Sequence, residues 1–252
     1  YTLLPMTGVK AMEVSLAIPD SAALIDADIS GTVAYSNRGD MTDTTLTRAF
    51  DLTGVTSATL DYRLWFHLED EWDYGYVMIS EDEGATWDIV PTPHTTDADP
   101  YGTSYGDGYT GTSGGSVATW IDESLSLDAY AGENILVRFE MITDDAVNQA
   151  GVAIDDVRID ALNYSEDFEG AAEGWDFQGW IRTDNRLPQS AWVQMIETVN
   201  GEVQVTRWLA EDSEQTWSFT PNADAESLVL VITPFSPVTT IPVPYQLRVD
   251  TK

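Results

Sequence analysis

Residues 58–68 read Ala58-Thr59-Leu60-Asp61-Tyr62-Arg63-Leu64-Trp65-Phe66-His67-Leu68. Side chains alternate across a strand, so Leu60, Tyr62, Leu64, Phe66 and Leu68 share one face, with Thr59, Asp61, Arg63 and Trp65 on the other. A period of two predicts a half-buried β-strand, because a helix would scatter the same apolar set around its axis. Residues 135–143 repeat the pattern, with Ile135, Val137, Phe139 and Met141 opposite Arg138 and Glu140. Further strands are expected at 74–80, 192–199, 202–209, 216–219, 227–233 and 245–249. No twelve-residue window carries a helical stripe, so the chain is read as all-β, built from β-sandwiches.

A boundary is expected near residues 161–165. Long strands and a Gly-rich loop at 102–115 precede it, and short, regularly spaced strands with turn residues follow it. That gives two domains, 1–162 and 163–252. Residues 1–18 are strand-like and could belong to either domain, or pair with a neighbour's open sheet edge. A chain that opens on Tyr1 rather than Met is expected to be a processed product or a piece of a longer protein. Along residues 152–159 the apolar parity flips at Asp155-Asp156, which predicts a β-bulge aiming two adjacent carboxylates at one end of a sheet.

The 252 residues carry 43 Asp plus Glu against 11 Lys plus Arg, a formal charge of -32. Nucleic acid is excluded, since phosphate binding needs clustered cations. Anionic membrane surfaces are disfavoured by the same sign, and no apolar run is long enough to span a bilayer. The absence of cysteine removes disulfides, thiolate metal sites and thiol nucleophiles. With 43% hydrophobic residues and 9 Trp, 11 Tyr and 7 Phe, the chain can still bury a core. Such an acidic surface needs bound cations or high salt to offset self-repulsion.

Catalytic motifs fail on context. The two histidines, His67 and His94, lack the H-E-x-x-H spacing of a zinc protease and read as surface residues. Gly111-Thr112-Ser113-Gly114-Gly115 fits G-x-S-x-G, but lies in a Gly-rich loop rather than between a strand and a helix. Paired carboxylates are inevitable among 43 acids and do not by themselves indicate glycoside hydrolysis. Tyr101, Tyr105 and Tyr109 are candidates for a sugar-stacking platform, or for packing beneath the loop.

Calcium has better support. Asp26-Ala27-Asp28-Ile29-Ser30-Gly31 follows the opening of an oxygen-ligand loop, although position twelve is Asn37 rather than a bidentate Glu. Glu69, Asp70, Glu71 and Asp73, then Asp97 and Asp99, Asp144 and Asp145, and Asp155 and Asp156 cluster at strand ends or in loops. A hard cation gathers carboxylates in such places.

Ser80-Glu81-Asp82-Glu83-Gly84-Ala85-Thr86-Trp87 fits the Asp-box, S-x-D-x-G-x-T-W, a structural hairpin of extracellular β proteins. Around it stand Trp72-Asp73-Tyr74-Gly75-Tyr76-Val77, Gly108-Tyr109-Thr110-Gly111, Asp128-Ala129-Tyr130-Ala131-Gly132, Arg138-Phe139, Thr143-Asp144 and Ile154-Asp155-Asp156-Val157. This ordered series resembles the C-terminal region of immune inhibitor A-type secreted metallopeptidases, a jelly-roll related to MAM and carbohydrate-binding modules. Asp167-Phe168-Glu169, Leu187-Pro188-Gln189 and Pro237-Val238-Thr239-Thr240 extend it to most of residues 40–249. The peptidase domain with its zinc helix has no counterpart in these residues, so proteolysis is not carried over. The resemblance implies a MAM-like jelly-roll at 1–162, a smaller sandwich after it and an extracellular or cell-surface setting. It also implies calcium at Glu69, Asp73, Asp144, Asp155 and Asp156, with Asp26 and Asp28 resting on their spacing alone. The expectation is a non-catalytic, calcium-stabilised protein with a structural or adhesive role, whose partners are copies of itself joined by residues 1–18. The alternative is an accessory module that attaches a parent protease to cell-surface glycan or protein.

Overall fold

The computed structural model describes residues 2–3, 10–235, 239–242 and 244–251. In chain order the strands begin with β1 (Thr2–Leu3), β2 (Met12–Ala17), β3 (Ser21–Ala23), β4 (Val33–Tyr35) and β5 (Asp43–Asp51). Next come β6 (Thr59–His67), β7 (Tyr74–Ser80), β8 (Asp88–Ile89), β9 (Ile121–Ser126) and β10 (Asn134–Ile142). They are followed by β11 (Gly151–Ile159), β12 (Tyr164–Glu166), β13 (Trp175–Gln178), β14 (Ile181–Thr183) and β15 (Arg186–Pro188). The last are β16 (Ala191–Val199), β17 (Glu202–Ala210), β18 (Glu214–Phe219), β19 (Ala225–Pro234) and β20 (Gln246–Thr251). Strands take 51% of the chain and helix 3%, so the fold is all-β.

The chain divides into two compact units. The larger, Asp26–Asn185, stacks a five-stranded sheet, β13-β5-β10-β7-β8, on a six-stranded one, β14-β4-β11-β6-β9, with β12 added to β11. Their inward residues form one core that includes Leu60, Tyr62, Leu64 and Phe66 from β6 and Ile135, Val137, Phe139 and Met141 from β10. The smaller unit joins Tyr1–Ile25 to Arg186–Lys252. Its sheets β1-β19-β16-β17 and β18-β2-β20 supply a core of Met12, Val14, Leu16, Val193, Met195, Leu228 and Leu230.

The single cut expected between 162 and 163 is therefore corrected. β13 pairs with β5 and β14 with β4, so residues 163–185 complete the first sandwich, and Phe168, Trp175 and Trp180 are buried in its core. Sequence spacing alone cannot reveal that a late strand returns to an early sheet. The N-terminal strand is corrected too. β2 is the central strand of its own sheet, flanked by β18 and β20, so its main-chain groups are satisfied within the chain. Of residues 1–18, positions 1 and 4–9 lie outside the described residues, as do 236–238 of the Pro237 motif.

The expected bulge is present. The β11–β6 register shifts between Asp155 and Arg158, and Asp156 adopts φ 51°. Trp65 departs from the alternation of β6, being buried although its parity is outward. At that end Val33, Ala34 and Tyr35 of β4 and residues 151–155 of β11 are all buried, so the sheet is covered on both faces.

Candidate metal centre

β10 and β7 are antiparallel neighbours with Ile142 opposite Tyr74. That register brings Asp73, one residue before β7, beside Asp144, two residues after β10. Glu69 arrives from the turn that follows β6, which crosses from one sheet to the other. The turn is closed by the N–H groups of Trp72 and Asp73, which both donate to the Glu69 carbonyl (3.2 and 3.0 Å). Glu71 takes φ 64° to make the reversal. Glu69, Asp73 and Asp144 can each present an oxygen within 4.8 Å of the others. Among the described residues no other group of three such side chains converges in this way.

Asp73 is the centre of the group. It is only 1% exposed, and its Oδ1 accepts the Asp144 N–H at 2.9 Å. Its Oδ2 is buried without a hydrogen-bond partner. A buried carboxylate oxygen with nothing to bind costs free energy, so its environment either supplies a proton or a cation. Burial, helped by the negative charges of Asp144 and Glu69, pushes the Asp73 carboxyl up to about 6. Glu69 is likewise raised, by burial first and then by Asp144 and Asp40. An all-oxygen set at a strand end suits a hard cation rather than a thiophilic metal. Residues Glu69, Asp73 and Asp144 would hold it.

Asp40 is the residue that sequence reasoning missed. It precedes β5, which pairs with β10 from the other side, and its Oδ1 accepts both the N–H and the side-chain amide of Asn148 (3.2 and 2.6 Å). Met41 donates its N–H to the Asp144 carbonyl, which ties the Asp40 turn to the group. The strand at 43–51 was the signal to follow. It is hard to see because Arg48 occupies an inward position, where its guanidinium lies 4.5 Å from the Tyr164 ring centroid.

The other expected ligands are not brought together. Asp26 and Asp28 are exposed, and main-chain carbonyls of their loop are occupied: Ala27 accepts from the Asn185 amide and Asp28 from the Trp120 indole. Asp155 and Asp156 sit at the bulge, with Arg63 at 3.9 and 3.4 Å. Burial, reinforced by Asp156, pushes the Asp155 carboxyl up to about 6, while Arg63 opposes the rise.

The tyrosines divide. Tyr101 is exposed and stacks on Trp72, with ring centroids 4.3 Å apart and planes within 11°. Tyr105 is 72% exposed. Tyr109 is corrected: it is buried in the core and its hydroxyl is shared with Tyr62 (2.7 Å) and Thr92 (2.6 Å), so no face is open to a sugar. His94, read as a surface residue, is half-exposed and its Nδ1 lies 2.7 Å from Oε1 of the fully buried Glu123. Ser113 is buried, and its hydroxyl bonds main-chain groups of Phe66 and Thr119.

Comparison with known proteins agrees with the resemblance. The family described as Immune inhibitor A-like, MAM domain, matches residues 8–185, ending where the larger unit ends. Pre-pro-metalloprotease PrtV of Vibrio cholerae is 28% identical over 151 residues, 59% of this chain and 15% of that protein. Immune inhibitor A of Bacillus thuringiensis subsp. alesti is 30% identical over 146 residues, 55% of this chain and 19% of its own length. Bacillopeptidase F of Bacillus subtilis is 31% identical over 101 residues, 40% of this chain and 6% of its own. The matched part thus spans less than a fifth of each relative. The matched region is a non-peptidase module of proteases, and this chain belongs to the immune inhibitor A-like MAM domain family.

Proposed function

We propose that the chain is a non-catalytic accessory module of an extracellular, protease-like polypeptide, and that calcium locks its larger sandwich. The buried, partnerless Oδ2 of Asp73, set among Glu69 and Asp144, is the observation that carries the metal reading. Three carboxylates at this range repel, and a divalent ion with six to eight oxygen ligands turns that repulsion into coordination. The unfolded chain cannot preform the site, so binding adds stability as RT ln(1 + [L]/Kd), about 4 kcal/mol at a thousandfold excess over Kd. Thermal melts at neutral pH in moderate salt should rise by about 10 °C with calcium over chelator. Asp73→Asn should abolish the response, and magnesium should substitute poorly. Equal melting temperatures with calcium and chelator would remove the calcium lock.

A second reading is favoured by the Trp72–Tyr101 stack with exposed Tyr105 close by in sequence: the module attaches its parent protease to a cell-surface glycan. A glycan array in which Tyr101→Ala and Tyr105→Ala bind as well as the unaltered chain would remove it.

A further inference from the structure

In an antiparallel sheet with one face on a core, the other face normally carries polar residues. The sheet β1-β19-β16-β17 of the smaller unit does not follow this rule. Its core face is fixed by Val193 and Met195 of β16 and Leu228 and Leu230 of β19, all buried. The register then sets the opposite face. Leu3, Val229, Ile196 and Val205 form a row that crosses all four strands. Trp192 and Leu209 sit in a second row with Thr233; Val231 lies in the row between, with Gln194 and Arg207, and Val203 in the row beyond Ile196, with Thr198 and Ser227.

β17 inverts the usual polarity. Its valines, Val203 and Val205, point away from the core and are 65% and 44% exposed, while Glu202, Gln204 and Thr206 take the core-side parity. Leu3 is 69% exposed. Among the described residues the face holds no carboxylate and a single cation, Arg207, on a chain with 43 acids and 11 bases.

We infer that this face is where two copies of the chain associate, sheet against sheet about a two-fold axis. The occupant follows from charge. Two molecules of charge -32 repel through any surface that presents carboxylates. The larger unit carries 33 acids against 6 bases, the smaller 10 against 5, and this face none of the acids. A second copy of the same face is therefore a carboxylate-free, largely apolar and self-complementary partner, as an isologous contact requires. Size agrees: three strands of about nine residues, spaced about 4.8 Å and rising about 3.3 Å per residue, with the two residues of β1 at the edge, make roughly 450 Å² a side, the size of a weak, transient contact. The association is accordingly weak and depends on concentration.

The test is sedimentation of the full chain from about 5 to about 500 µM, with and without added salt. A monomer–dimer equilibrium that salt strengthens, by screening the repulsion, is expected. Ile196→Lys and Val205→Lys should each weaken association by about tenfold or more, with the circular dichroism spectrum unchanged. Val147→Lys, an exposed apolar residue on the other unit, should not change it. If Ile196→Lys fails to fold, the half-exposed Val205 keeps the test intact. A photo-cross-linker at position 205 should join two copies through 196, 205 or 229. A chain that stays monomeric throughout the range overturns the inference. So do a dimer indifferent to both substitutions and cross-links that run to residues 26–185 of the second copy.

Discussion

Asp155 and Glu123 show how burial sets the worth of a single carboxyl. Asp155 is held up to about 6, against an ordinary value near 3.8, so between those values the folded chain keeps a proton that the unfolded chain releases. Stability from this group is therefore lost as pH rises from about 4 through 6, by about 1 to 3 kcal/mol. Asp155→Asn keeps an acceptor for the Asp156 N–H, which now bonds Oδ1 at 2.8 Å, and removes the buried charge. Denaturant titrations should find it stabilising at pH 8 and neutral at pH 4. A loss of stability at pH 8, confined to calcium-containing buffer, would instead make Asp155 a ligand. Glu123 is raised by burial, with His94 opposing the rise through its hydrogen bond and charge. His94→Ala takes away the bond at Oε1 beside an Oε2 that is already unpartnered. It should cost about 2 kcal/mol at pH 7.5, and less as falling pH lets the raised Glu123 carboxyl take up a proton.

At the scale of elements, the Asp-box is a closed hydrogen-bonded unit between β7 and β8. Asp82 accepts from the Thr86 N–H, the Thr86 hydroxyl and the Ser80 hydroxyl, at 2.7 to 2.8 Å, and Ser80 Oγ accepts the Gly84 N–H at 2.8 Å. Those bonds, led by the Thr86 hydroxyl, pull the Asp82 carboxyl down to about 2. The contribution is full above the unfolded value near 4 and is lost as pH falls through 2. Asp82→Asn should raise amide exchange across residues 80–87 at pH 7, and protection equal to the unaltered chain would count against this account. The hairpin was legible because its chemistry is local, each side chain bonding a main chain two to four residues away. β6 and β10 were legible because both faces announce themselves in period two. β5 was not, since Arg48 interrupts its apolar face and is accommodated by the rings of Phe50, Tyr164 and Trp175 and by the Glu173 carbonyl, which accepts from its guanidinium. The same distance in sequence hid Asp40, whose charge helps to raise the Glu69 carboxyl. Glu69, Asp73 and Asp144 were named from acidic clustering and from the family resemblance, and their convergence depends on the β7–β10 register, which no local pattern states.

For the whole molecule, the decisive feature is that the chain leaves the smaller unit after Ile25, builds the larger one, and returns at Arg186. Strands β13 and β14 therefore close the larger sandwich from its C-terminal end, and a cut after 162 removes them with Phe168, Trp175 and Trp180. Each fully buried large side chain contributes about 2 to 3 kcal/mol, so their joint loss of roughly 6 to 9 is comparable with the whole stability of a domain. It also leaves β5 and β4 as bare edges, open to aggregation. Residues 26–185 expressed alone should give a cooperative melt and retain the calcium response of Asp73. Residues 1–162 should be insoluble or bind hydrophobic dyes, because they lack those strands and keep β2 without its partners β18 and β20. Two fragments that melt alike would mean that β13 and β14 add little, and the single cut near 162 would then be the better description of the fold.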